Sequence, residues 1–232
     1  MIRFTLFRVP VHIHLSFWVA ALVWWLVLTA GEPHFMGVLF FAVAAFACFL
    51  AHELGHALVG GRALGATLGI CLSWQGSGCC CEQEASCSRW AGVCISMAGP
   101  LVGLLVAVAV YAALWALTGS AAAGWTVALR MLQGQVPMEL AGACPPLLLL
   151  MMVYMLQISI FWSTLNLLPI YPLDGGTMIH ELMGENHLIH SISMALTCGL
   201  SLFFFAAGVW ALAVLMALLA YYNYRCILVH TE

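Results

Sequence analysis

Read only for apolar and polar positions, the chain is a series of long apolar runs separated by short polar ones. Leu15 to Ala30 is the first, with His12 and His14 just before it and Arg3 and Arg8 further out. Gly31-Glu32-Pro33-His34 predicts a turn, and a second run starts near Phe35 and continues through His56 to about Gly60. A third opens at Trp90 and ends at a polar turn near Thr118-Gly119-Ser120. A fourth leads from Pro146 toward Pro169, where Pro169 and Pro172 break or distort the helix because proline has no amide to donate. A membrane-spanning helix needs about 20 predominantly apolar residues, and these runs are of that order.

The last run, Ser191 to Tyr224, is 34 residues without a charge. One straight helix of that size would be about 50 Å long at 1.5 Å per residue, too long for a hydrocarbon core of about 30 Å. Two helices joined by a tight turn near Gly208 fit better. Residues 61–89 are rich in Gly, Ser, Cys and Gln and form the longest stretch that lipid cannot bury as a helix. Residues 119–146 mix Arg130, Pro137 and Glu139 with apolar positions and suit a short interfacial helix. His180, His187 and His190 fall between the fourth and fifth spans, in an expected polar turn. The predicted architecture is an all-α membrane protein, a polytopic helical bundle of about six transmembrane helices. It is read as one domain over residues 1–232 with its core at 35–183.

Composition sharpens this picture. The 232 residues are 65% hydrophobic and 6% charged, with no lysine, where soluble domains carry about 25% charged residues. A water-soluble globule is excluded on that count. A net charge of −3 and scattered arginines argue against a nucleic-acid partner. No small-residue cleavage site follows the first run, so it is read as a retained span. With six spans and an inside N-terminus, Arg3, Arg8, Arg62, Arg89 and Arg225 face the cytoplasm and Arg130 faces out. Five spans would put Arg225 outside as well, so the positive-inside bias favours six. The expected location is the cell (inner) membrane, with both termini cytoplasmic and the lipid bilayer as the first partner. The twelve methionines and nine tryptophans are expected mostly at lipid or at the interface.

Ionisable residues inside apolar runs are costly and therefore mark function. His52-Glu53-Leu54-Gly55-His56 is one such cluster. Histidines four apart lie on one helix face, one turn of about 6 Å along the axis, and two neutral imidazoles at that spacing can share a zinc ion. Glu53 sits about 100° round the helix, where it can serve as a base toward water without being a ligand. Nine histidines and eight glutamates in this length would give the pattern by chance in about one sequence in a hundred. The second cluster is Asn166-Leu167-Leu168-Pro169-Ile170-Tyr171-Pro172-Leu173-Asp174-Gly175. Catalytic zinc takes three protein ligands and a water, and Asp174 is the single aspartate of the chain. An unwound segment at membrane depth must be buried in protein or line a wet cavity. Its freed backbone could pair with an extended substrate strand, and Gly175 and Gly176 would let the chain turn sharply. The competing account is a proline kink with Asp174 as a helix cap.

Together His52–His56 in the second span, Ser96-Met97-Ala98-Gly99-Pro100 in the third and Asn166–Gly176 at the end of the fourth resemble the site-2 protease family of intramembrane zinc metalloproteases. Val9 to Phe17 is similar to the start of its compact microbial members. The resemblance implies one Zn2+ per chain held by His52, His56 and Asp174, Glu53 as the base, and Asn166 as a polar contact to substrate or transition state. It implies single-span or polytopic membrane proteins as substrates and leaves room for a regulatory membrane partner. It also implies a small β-like loop between the second and third spans, although Cys71 to Cys81 departs from the family's usual sequence there. No PDZ or CBS domain is expected in this length. The cysteines at 71, 79, 80, 81, 87 and 94 lack metal-ligand spacing and read as free thiols. A metal transporter and a catalytically silent, helix-binding relative are the alternatives. The first should spread ionisable residues along a path, and the second should lose the base or a ligand.

Overall fold

Period-two alternation at Val9, Val11 and Ile13, and again at Leu68, Ile70 and Leu72, builds a small sheet. The computed structural model describes residues 1–28, 35–73, 76–81, 88–184 and 187–229, so the turn expected at Gly31–His34 lies outside the described residues. Strands β1 (Ile2–Leu6) and β2 (Val9–Ile13) form an antiparallel hairpin through Phe7 and Arg8, both in the left-handed region (φ 50° and 71°). That two-residue geometry matches the twist of the flanking strands. Strand β2 pairs in parallel with β3 (Leu68–Ser73), which pairs antiparallel with β4 (Gly76–Cys81), in the order β1-β2-β3-β4. The apolar face of β2 and β3 packs on Phe17, Leu50 and Ala57. The β-like loop is therefore the hairpin β3–β4. The N-terminal hairpin is an element the hydropathy pattern did not announce.

Between β2 and β3 run α1 (Leu15–Leu28) and α2 (Phe35–Leu64). Parallel pairing of the strands on either side brings the start of α1 and the end of α2 to one sheet. The two helices are thus the outgoing and returning limbs of one excursion. Helix α1 is 14 residues, about 21 Å at 1.5 Å per residue, and α2 is 30 residues, about 45 Å. Length alone would not make α1 a span; the strand pairing makes it the outgoing part of an excursion from which α2 returns.

Helix α3 (Arg89–Thr118) ends at Gly119, whose φ of 68° suits glycine, and Ser120 then caps α4 (Ala121–Leu132) by accepting from the Ala123 amide at 3.5 Å. The buried stripe Gly124, Val127, Ala128 and Met131 gives α4 one apolar face. It packs with Leu114 of α3 and with Leu149 and Val153 of α5 (Pro146–Asn166). The short helix expected between 119 and 146 is therefore α4, with its polar end marked by Arg130 donating to Glu139.

Contacts divide the chain into two compact units, Met1–Ala85 with Ala98–Thr164, and Ser86–Met97 with Leu165–Glu232. The second unit adds α6 (Asp174–Met183), α7 (His187–Ala206) and α8 (Trp210–Val229). The final apolar run is indeed two helices, turning at Gly208 with φ 75°. The expected polar turn at His180, His187 and His190 is mostly helix. His180 lies in the last turn of α6, His187 starts α7, and His190 is buried. Among the described residues five helices, α2, α3, α5, α7 and α8, are long and apolar enough to cross a membrane. Their exposed Leu101, Leu105, Val108, Leu202 and Leu218 suit lipid rather than water.

Candidate metal centre

Helical spacing does to His52 and His56 what the sequence predicts. Both lie on the buried side of α2, at 3% and 8% exposure, and their Nε2 atoms are 3.1 Å apart. Glu53, 4% exposed, brings Oε1 to 3.9 Å from the His52 Nε2. One donor atom from each of the three lies within 4.8 Å of the other two. Two Zn–N bonds of about 2.0–2.1 Å at a tetrahedral angle place their nitrogens about 3.3 Å apart. The histidine pair fits a zinc ion on that measure.

The neighbours of this group show why it is held so. Trp162 of α5 stands edge-on to His52 with ring centroids 6.4 Å apart, and Phe49 meets the same indole at 4.6 Å. Trp162 is thus an inward-facing residue rather than the lipid or interface residue expected of most tryptophans, as is Trp25. Gly99 of α3 lies against the His56 imidazole, so closely that a β-carbon there would fall inside the ring's van der Waals envelope. Gly55 of α2 faces the Ala98 carbonyl oxygen, which a β-carbon would meet at 2.5 Å. The two glycines let α2 and α3 approach closely on either side of His56. Trp162 was not among the predicted site residues; its one sequence signal is a tryptophan four residues before Asn166 inside an apolar run.

In the second unit Asp174 is the first residue of α6, and the cap position belongs to Leu173, which makes no side-chain cap bond. Asp174 thus stands at the first helical position, one residue past the cap. One of its carboxylate oxygens is fully buried. Gly175 and Gly176 do not sit at positive φ, so they are not there to turn the chain. A β-carbon on Gly175 would collide with the carbonyls of Leu167 and Leu168, and one on Gly176 with the Ile170–Tyr171 peptide. Their role is close contact, bringing the start of α6 directly under the broken segment. Asn166 is the last residue of α5 and is buried. Cys79, Cys80 and Cys81 fall in β4, with side chains outside the described residues.

Comparison with known proteins bears on this arrangement. The sequence profile of peptidase family M50 matches residues 73–207, which takes in Ser96–Pro100 and Asn166–Gly176 and begins after His56. A protein of Synechocystis sp., sll0528, named as a zinc metalloprotease, is 25% identical over 158 residues, 68% of this chain and 35% of its own length. This chain spans about a third of that relative. The fold is similar to that of the site-2 protease from Methanocaldococcus jannaschii, with a TM-score of 0.56 at 18% identity, covering 97% of this chain and 94% of that one.

Proposed function

We propose that this chain, which belongs to peptidase family M50, is an intramembrane zinc endopeptidase that cleaves transmembrane segments of other membrane proteins. The observation that carries the reading is the buried His52–Glu53–His56 group with its two facing Nε2 atoms. A buried carboxylate beside two imidazoles in an apolar helix has no structural purpose that apolar residues would not serve better.

His52, His56 and Asp174 hold the metal in this reading, and Glu53 is the base. Bound zinc supplies Lewis acidity, polarising a carbonyl and making water a stronger acid. Glu53 accepts the proton of the attacking water and returns it to the departing amine, the ordinary exchange of a general base for a general acid. Trp162 and Gly99 fix the imidazole rings, and the apolar walls of α2 and α5 keep other water away. Asn166 contacts the substrate backbone. The chain acts as one domain in the cell membrane with both termini cytoplasmic. A reporter fused after Glu232 should read cytoplasm and one inserted near Gly134 the opposite side; a C-terminal fusion reading outside would return the chain to five spans.

An α-helix hides its peptide carbonyls in hydrogen bonds, so a substrate helix must open locally before it can be cut. Purified protein with zinc should cleave a transmembrane peptide, and phenanthroline should abolish the cleavage until zinc is restored. Gly or Pro near the scissile bond should speed cutting and a run of Leu should slow it, since helix propensities differ by about 1 kcal/mol for Gly and about 3 kcal/mol for Pro. Equal rates on both peptides would show that substrate unwinding is not limiting, and no cleavage of any membrane segment would overturn the reading.

A further inference from the structure

Helix α8 carries one amide among apolar and aromatic neighbours, and it is fully buried: Asn223. Such a group is costly at membrane depth unless its hydrogen bonds are made. They are made. Its Nδ2 donates to the Tyr171 carbonyl oxygen at 2.6 Å and to the Leu219 carbonyl oxygen at 2.9 Å, while Oδ1 faces the His190 Nδ1 at 3.1 Å. Two carbonyls on one side fix the amide's orientation, because only the NH2 group can donate to them. Oδ1 must then accept, so His190 carries a proton on Nδ1. From α7, the buried Ser193 Oγ accepts from the Tyr171 amide at 2.9 Å. The His190 and Tyr171 rings meet edge to face with centroids 4.9 Å apart.

Tyr171 lies between Pro169 and Pro172, three residues before Asp174. In a broken helix its amide and carbonyl have lost the usual backbone partners and need others. Ser193 takes the amide and Asn223 the carbonyl, so these two groups are committed within the chain and are not offered to a substrate strand. The segment is gripped twice, by α7 and α8 at Tyr171 and by Gly175 and Gly176 beneath Leu167–Tyr171. Both grips flank Asp174. The geometry points to Asn223 and Ser193 as positioning residues that set the Asp174 carboxylate for zinc, with His190 orienting the Asn223 amide. This rests on the reading of Asp174 as a ligand.

The test is a double-mutant cycle on the full-length protein in detergent, reading zinc affinity by competition with a chromogenic chelator. Asn223→Leu should weaken zinc about 10–100-fold, the usual cost of losing a group that orients a ligand. In the Asp174→Asn background the same change should have no further effect, because it acts through the missing carboxylate. Ser193→Ala should weaken zinc in the same direction, and Ser193→Thr, which keeps the hydroxyl, should restore it. If Asn223→Leu yields no folded protein, the Ser193 pair decides by the same cycle. Additive losses in the double mutant would mean a merely structural role and overturn the proposal. So would unchanged affinity in both Asn223→Leu and Ser193→Ala while Asp174→Asn loses zinc. Should Asp174→Asn itself bind zinc like the wild type, the ligand assignment fails, a result distinguishable from either of those.

Discussion

Replacing Glu53 with glutamine is expected to leave zinc bound while cleavage of a transmembrane peptide falls by roughly 10²–10⁴, the usual worth of a general base. The amide has the size of the carboxylate and fills the same buried place beside His52, but it cannot take a proton. His56→Ala and Asp174→Asn should behave differently and lose zinc together with activity, since each removes or weakens a proposed ligand. Metal content and cleavage measured side by side on the three variants separate the roles. A Glu53→Gln protein that still cuts near the wild-type rate would remove Glu53 from the chemistry. Full zinc and full activity in Asp174→Asn would leave the metal needing a different third ligand.

The second large effect is expected at a residue that has no side chain of its own, Gly99. Gly99→Ala places a methyl where the His56 ring now lies. The ring is the end of a side chain and can swing away, so the helices need not part and the protein should still fold. What is lost is the His56 nitrogen's position beside that of His52, now 3.1 Å away. Zinc affinity should drop about 10–100-fold, as when other supports of a ligand are removed, with thermal stability of the metal-free protein little changed. Gly55→Ala is the control with the opposite signature. Its methyl would meet the Ala98 carbonyl oxygen at 2.5 Å, and backbone cannot swing. Overpacking of that kind costs about 1–3 kcal/mol and should appear as a lowered unfolding midpoint. Equal zinc affinity in Gly99→Ala and wild type would mean that α3 does not seat His56.

The buried His52–Glu53–His56 group was legible in the sequence because lipid makes ionisable residues conspicuous. His52, Glu53, His56 and Asp174 stand out from Phe, Ala and Leu whatever the fold. The division of the last run at Gly208 followed from length alone. Three features were hidden for three physical reasons. The parallel pairing of β2 with β3 is non-local and leaves no periodic trace between the strands. Gly99, Gly175 and Gly176 looked like markers of turns or motifs, yet each is fixed by another backbone or ring that only the folded chain brings near. Ser193 and Asn223 carry no charge, so a count that stops at charged residues runs past them; uncharged polar groups at membrane depth are the signal that would have found them.

Parallel pairing of β2 with β3 also has a bearing on how the protein is made. A ribosome delivers β2 first and β3 only after residues 14–67, which hold both α1 and α2. Until then the hairpin β1–β2 keeps an open edge of unpaired amides and carbonyls. If residues 14–67 did not bring β3 back beside β2, that edge would stay open. The four-stranded order can therefore be completed only after both helices of that intervening stretch have been made and β3 has come back beside β2.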